Sequence, residues 1–263
     1  TLTVTDMVGN TGTCEATVTV LDNILPTISC PANIDVNNAG VCGAQVTYNV
    51  TYNDNCPGAV LSQTAGLPSG ALFPIGTTTN IYNVQDLSGN SAACSFTVTV
   101  TDNTPPNALC KSASVNLDIT GNASVSVTDV NDGSNDECGI STMVVNPNSF
   151  TCANIGPNTV TLTVTDNNGN TATCSSTVTV VDNILPNISC PININVDNTT
   201  GSCGAVVTYT VTHSDDCPGD VLSQTAGLAS GSTFPIGTTT NVFVTTDASG
   251  NSPLNGLSGT TKG

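Results

Sequence analysis

The chain has 263 residues, of which two are basic (Lys111 and Lys262) and nineteen acidic, for a formal charge of −17. That balance leaves no basic footprint to displace phosphate counterions, which excludes a nucleic-acid-binding surface and disfavours anionic membranes. No apolar run approaches the roughly 18 residues of a membrane span, and the scarcity of Glu, Lys and Arg argues against long helices.

From its start the chain reads as strands and tight turns. "TLTVTDMVGNTGTCEATVTV" alternates Thr with apolar residues around a D-x-x-G-N turn at Asp6–Asn10. The phrase "VTVLDNILPTISCP" follows at Val18–Pro31, returns as "VTVVDNILPNISCP" at Val178–Pro191, and has a looser copy at Val98–Cys110. Asp22, Asp102 and Asp182 are each 80 residues apart. The D-x-x-G-N turn recurs at Asp86–Asn90, Asp166–Asn170 and Asp247–Asn251. An internal repeat of about 80 residues therefore organises the chain.

Two kinds of repeat alternate. Residues 23–102 and 183–263, the A type, share "CPG-x-VLSQTAGL" (Cys56–Leu67, Cys217–Leu228) and "FPIGTTTN" (Phe73–Asn80, Phe234–Asn241). Residues 103–182, the B type, carry "FTCANIGPNTVTLTVTDNNGN", whose end matches residues 1–22. The chain thus reads as a B-A-B-A window onto a longer array. Within a repeat the apolar period is two: Val160, Leu162 and Val164 face one way and Thr161, Thr163 and Thr165 the other. Val178 and Val180 alternate likewise with Thr177 and Thr179, the signature of half-buried strands. The predicted fold is all-β: tandem immunoglobulin-like β-sandwich modules of about 80 residues, disulfide-stapled and arranged end to end. The expected boundaries are 1–22 (the end of a B module), 23–102, 103–182 and 183–263. The last repeat abandons the pattern from Ser252 onward, with Asn255 where a cysteine is due.

Taken together, "CPANIDV", "NDNC", "FPIGTTT" and "QDLSGNSAACSFTVTVTDNTPP" resemble the hyalin repeat (HYR), an Ig-like module of extracellular proteins. The B repeat resembles it less closely, with Ala-Leu-Cys-Lys in place of the Cys-Pro start. The resemblance implies an adhesive or stalk-like surface protein, as in large bacterial surface adhesins, and no enzymatic activity.

Twelve cysteines without close Cys/His pairs predict disulfides in an oxidising, extracellular compartment rather than zinc ligation. Aligning the repeats gives three shared positions: Cys30 with Cys110, Cys56 with Cys138, and Cys94 with Cys174. Each type adds a private cysteine, Cys42 or Cys152. Four cysteines allow three connectivities. If the shared bridge joins first to last (Cys30–Cys94, Cys110–Cys174), the remaining pairs within each repeat are Cys42–Cys56, Cys138–Cys152 and Cys203–Cys217. Cys14 and Cys190 are then left over.

The acidic turns are the one constellation with binding potential. Asp22 and Asn23, Asp102 and Asn103, and Asp182 each approach a D-x-x-G-N loop (Asp86, Asp166) and an N-D-N-C or S-D-D-C loop. Hard oxygens from several loops suit Ca²⁺, whereas the bland alternative is that Asp and Asn simply build turns. Acid–base chemistry lacks its parts, since His213 is the only histidine and Glu15 and Glu137 lie in different repeats. Aromatic sugar platforms are scarce: there is no Trp, and Phe73 and Phe234 read as core plugs. Sequons stand at Asn49, Asn122, Asn187 and Asn198. The expectation is a non-enzymatic shaft, stalk or filament segment of an extracellular or cell-surface adhesin. Its partners would be neighbouring modules, other copies, or a ligand on a host or environmental surface. The alternative is a Ca²⁺-dependent module that recognises glycan or protein through loops at the sandwich ends.

Overall fold

The computed structural model describes residues 1–253 and 258–262, so Asn255 lies outside the described residues. Contacts divide the chain into two compact units, Thr1–Thr104 and Pro105–Gly263.

The first unit opens with a hairpin of β1 (Leu2–Thr5) and β2 (Thr11–Cys14). It continues through β3 (Thr27–Ser29), β4 (Ile34–Asn37), β5 (Ala44–Gln45), β6 (Thr51–Asn53), β7 (Val60–Ala65), β8 (Leu72–Phe73), β9 (Gly76–Gln85) and β10 (Ser91–Thr101). The main sheet has the order β4-β10-β9-β7, with β4 parallel to β10 and the other pairs antiparallel. The short pairs β3–β6 and β5–β8 supply residues to the opposite side of the same core. Alternation does the sorting: Tyr82 and Val84 of β9 and Phe96, Val98 and Val100 of β10 are buried. Tyr82, Phe96, Val98 and Val100 meet Ala44, Val46 and Phe73, which closes a two-layer sandwich. Tyr48 stacks edge-on against Phe73, Tyr82 and Phe96, so its ring is core rather than a ligand platform.

The D-x-x-G-N turns join the two longest strands of a repeat. Asp86 N donates to Asn90 O at 3.0 Å, and Gly89 adopts φ +92°. A positive φ is the conformation that glycine tolerates without cost.

The second unit holds two further repeats, of which the first follows this plan closely. Its first half contains β11 (Ala113–Asn116), β12 (Asn122–Ser124), the single-turn α1 (Val127–Val130), β13 (Ile140–Asn146), β14 (Ser149–Thr151), β15 (Gly156–Asp166) and β16 (Thr171–Val181). The sheet order β11-β16-β15-β13 matches that of the first unit, again with one parallel pair, β11 with β16. Val160, Leu162, Val164, Val178 and Val180 are all buried in its core. The second half contains β17 (Asn187–Ser189), β18 (Gly204–Val206), β19 (Thr212–Ser214), β20 (Val221–Ala226), β21 (Thr233–Pro235), β22 (Thr238–Thr246) and β23 (Ser258–Lys262). β23 runs antiparallel to β22, so a strand forms even where the sequence departs from the repeat.

Thr17–Leu21 carries the same alternation as the end of β10 but pairs with no strand among the described residues, and Val18 and Val20 are 84% and 90% exposed. A two-stranded hairpin offers neither a third pairing edge nor an opposite layer to bury them.

A buried amide fixes the turn after β7. Asn80 Oδ1 accepts hydrogen bonds from Leu67 N at 2.9 Å and Gln63 Nε2 at 3.3 Å. Gly66 (φ +88°) is required there, because a Cβ would lie 2.1 Å from Asn80 Oδ1. Asn241 repeats the device with Leu228 N at 2.7 Å. Asn80→Ala strands a buried N–H and is expected to cost about 1–3 kcal/mol in denaturant unfolding, as is Asn241→Ala.

Candidate functional site at the repeat junctions

Inside each unit a D-N-x-x-P connector, Asp22–Pro26 in the first and Asp182–Pro186 in the second, lies among loops that carry carboxylates. In the first unit Asp22, Asp54 and Asp86 bring one oxygen each within 4.8 Å of one another. Asp86, buried, accepts Ser88 N and Asn90 N through Oδ1 and Asn90 Nδ2 through Oδ2. The same Asn90 amide donates to Asp22 O at 3.0 Å, tying the hairpin turn to the connector. Asp22 Oδ1 accepts Ile24 N at 3.1 Å, and that bond, helped by the Cys56 side chain, holds its carboxyl below the ordinary value. Asp54 Oδ2 accepts Cys56 N, while its Oδ1 is buried with no hydrogen-bond partner.

The junction inside the second unit is built alike. Asp182, Asp215 and Asp216 converge within the same 4.8 Å limit. Asn251 Nδ2 donates to Asp182 O at 3.0 Å, and Asp182 Oδ1 accepts Ile184 N. Asp215 Oδ1 and Asp216 Oδ1 are both buried without a partner. Burial raises both carboxyls above their ordinary value, and the charge of Asp182 raises them further. Basic residues to balance them are scarce, as Lys111 and Lys262 are the chain's only two. A buried carboxylate oxygen left without a donor can be satisfied by a proton or by a cation.

The other residues expected at a metal site also make local hydrogen bonds or lie apart from these two clusters. Asp102 is buried and accepts Thr104 N at 3.0 Å. Asn103 Nδ2 donates to Asn37 Oδ1 at 3.0 Å, and Asn183 does the same to Asn116 Oδ1 at 3.1 Å. Asn23 is exposed. Asp166 is buried in its turn; burial raises its carboxyl, but bonds from Asn170 and Asn168 outweigh this and leave it below the ordinary value. Sequence reading named the N-D-N-C and S-D-D-C loops but not Asp54, Asp215 and Asp216 as the inward-facing carboxylates. The available signal was their fixed place just ahead of Cys56 and Cys217. His213 pairs through Nδ1 with Asp220 at 2.5 Å.

The disulfides depart from the expected scheme in an informative way. Cys30 joins Cys94 and Cys110 joins Cys174, each with a sequence separation of 64. Cys152, however, joins Cys217 of the next repeat, with Cα atoms 5.5 Å apart. The pairs Cys42–Cys56, Cys138–Cys152 and Cys203–Cys217 therefore do not form, and Cys56 and Cys203 are exposed thiols. Strand length explains the difference. Cys138 O accepts Asn167 Nδ2, beside the end of β15 at Asp166, whereas Cys152 stands just ahead of its start at Gly156. An 11-residue strand of roughly 33 Å separates them, while a disulfide needs Cα atoms within about 7 Å. Cys42 and Cys56 are likewise held at opposite ends of β9, as are Cys203 and Cys217 at opposite ends of β22.

The bridge between repeats is closely fitted. Cys217 is buried in the core of the preceding repeat, with Leu117, Val125 and Val130. Gly121 (φ +72°) makes the approach possible: a Cβ there would lie 2.6 Å from Cys152 Sγ and 3.0 Å from Asp216 O.

Over 261 residues the chain is 33% identical to hyalin of Strongylocentrotus purpuratus, covering 94% of this chain and 21% of that protein. It is 30% identical over 264 residues to hyalin of Lytechinus variegatus, covering 95% of this chain and 49% of that protein. The chain thus spans about half or less of these curated relatives. Among solved structures, human mucin-like protocadherin EC1-2 aligns with 14% identity and TM-score 0.34, covering 59% of this chain and 98% of that one. Extracellular cadherin domains 1-5 of protocadherin gamma B2 align with 14% identity and TM-score 0.33, covering 90% and 59%. The HYR domain profile matches residues 21–100, 101–180 and 181–256, and the chain belongs to that family.

Proposed function

We propose that this chain is a non-enzymatic segment of an extracellular, adhesion-type repeat array that works as a shaft whose modules are covalently coupled. The Cys152–Cys217 bridge carries this reading, because it ties one repeat to the next rather than closing a loop within either. Intra-repeat disulfides, the family and the hyalin relatives support an extracellular or cell-surface setting. The near identity of "CPGAVLSQTAGLPSG" and "CPGDVLSQTAGLASG" favours a scaffold over loops tailored to one ligand.

The reading makes a mechanical prediction. Pulled from points just outside Cys110 and Cys217, the oxidised chain can extend only through the stretch between Cys152 and Cys174, about 22 residues or roughly 75 Å. Without the inter-repeat bridge, about 43 residues, roughly 150 Å, would extend. Single-molecule extension reads the difference directly, and the longer value in oxidised protein would overturn the coupling.

The second element of the proposal is that Ca²⁺ completes the junctions. The donor set fits: three carboxylates within 4.8 Å, with buried unpartnered oxygens on Asp54, Asp215 and Asp216. When bound, the ion would supply positive charge to these oxygens, with further backbone or water ligands toward the six to eight it prefers. Asp22, Asp54 and Asp86 would hold it at one junction and Asp182, Asp215 and Asp216 at the other. Its role is to stiffen the crossing between repeats, which favours a Ca²⁺-dependent shaft over a glycan-binding tip.

A further inference from the structure

We infer that Cys56 is the receiving half of a second inter-repeat bridge: it takes a disulfide from the private cysteine of a B-type repeat placed ahead of residues 23–102. This rests on the proposed coupling and names the partner that the same kind of site accepts. Cys56 is not an isolated thiol. It is the repeat copy of Cys217, which is bridged in this chain, and the two stand on matching platforms. Cys56 N donates to Asp54 Oδ2 at 3.2 Å, and Cys217 N donates to Asp215 Oδ2 at 3.2 Å. Each is followed by Pro-Gly, with Gly58 at φ +110° and Gly219 at φ +113°.

The docking surround is shared as well. An asparagine amide clasps the connector carbonyl at 3.0 Å in both places, Asn90 on Asp22 and Asn251 on Asp182. Both thiol positions border a three-carboxylate cluster. What differs is that Cys217 is buried in a B-type core beside Cys152, whereas Cys56 is exposed. Residues 1–22, which precede Cys56, match only the last part of a B repeat and carry no copy of Cys152. The partner is thus fixed by type: a B repeat presenting its private cysteine beside a glycine equivalent to Gly121.

Closure is a thiol–disulfide exchange that needs a small-molecule disulfide as oxidant. One cysteine thiolate attacks the oxidant, breaking its S–S bond and releasing one small thiolate. The second cysteine thiolate then attacks the protein sulfur of that mixed disulfide, forming the protein S–S bond and releasing the second small thiolate. The protein loses two protons and two electrons, and the oxidant is reduced to two thiols.

The test uses the full chain with a copy of residues 103–182 in place of residues 1–22, oxidised with glutathione disulfide, alkylated, and mapped without reduction. The expected result is a Cys56 peptide linked to the added repeat's private cysteine, with alkylation at Cys56 at least tenfold lower than in the original chain. Serine at that added cysteine should restore alkylation, and the Cys110–Cys174 link serves as the folding control. Cys56 alkylated as before, or linked elsewhere, while Cys152–Cys217 is present overturns this inference alone. Loss of Cys152–Cys217 as well overturns the coupling on which it rests.

Discussion

Cys152→Ser lowers the stability of residues 105–263 by about 4 kcal/mol, the chain-entropy value for a closed loop of 65 residues. It also leaves Cys217 as a lone thiol in a core of Leu117, Val125 and Val130. Cys110→Ser should cost a similar amount, because its loop is nearly as long at 64 residues. The two variants differ in cooperativity. Loss of Cys110–Cys174 weakens one repeat, whereas loss of Cys152–Cys217 separates two, so Cys152→Ser should split one unfolding transition into two. Calorimetry at matched pH resolves this, and a single unshifted transition in Cys152→Ser would count against the coupled shaft.

Calcium is expected to produce the second large effect. At about 100 times its dissociation constant, one bound ion adds about 2.7 kcal/mol to the stability of the unit that holds it. Chelator removes that increment, and Asp215→Asn abolishes most of it. Without calcium, pH does part of the ion's work. The Asp215 and Asp216 carboxyls are raised above their ordinary value, so the folded chain binds protons more tightly than the unfolded chain. Their contribution to stability is therefore full below the ordinary carboxylate range, about 4, and is lost as pH rises through the raised folded value. Asp118, Asp129 and Asp166 carry the opposite sign: their stabilisation is present above that range and is lost below it, as pH falls through their lowered values. Two windows result. Mild acidification of the calcium-free protein should stabilise the 182–216 junction, strong acidification should destabilise the repeats, and calcium should flatten the first response. Melting midpoints across pH, with and without calcium, check the order; an unchanged midpoint on adding calcium removes the ion from the proposal.

The strands were legible because their period leaves little choice. Val160, Leu162 and Val164 can share a core only as a strand, and Gly169 in "DNNGN" supplies the positive φ of its hairpin. Phe73 and Phe234 plug their cores as expected. The second set of disulfides was not legible. Cys42–Cys56 and Cys138–Cys152 share the same short spacing, which looks like a local loop in each repeat. Spacing does not reveal that a long strand holds the two cysteines at opposite ends of the sandwich, nor that the partner of Cys152 belongs to the next repeat. The junctional carboxylates were half legible. Loops at Asp22, Asp54 and Asp86 could be named, but which oxygens turn inward depends on how three separate turns meet. Asn103 illustrates the limit, since its amide ties down Asn37 instead of facing a cation.

The central claim is that consecutive repeats are joined covalently, and a disulfide map of the native chain tests it most directly. Lys111 and Lys262 are the only tryptic sites, so digestion should use pepsin at low pH, where thiol exchange also stops. For these 263 residues, after alkylation and without reduction, the account predicts a peptide pair joining Cys152 to Cys217, with Cys56 and Cys203 alkylated because no further repeat is present to bridge them. A pair joining Cys138 to Cys152, or Cys203 to Cys217, would contradict it.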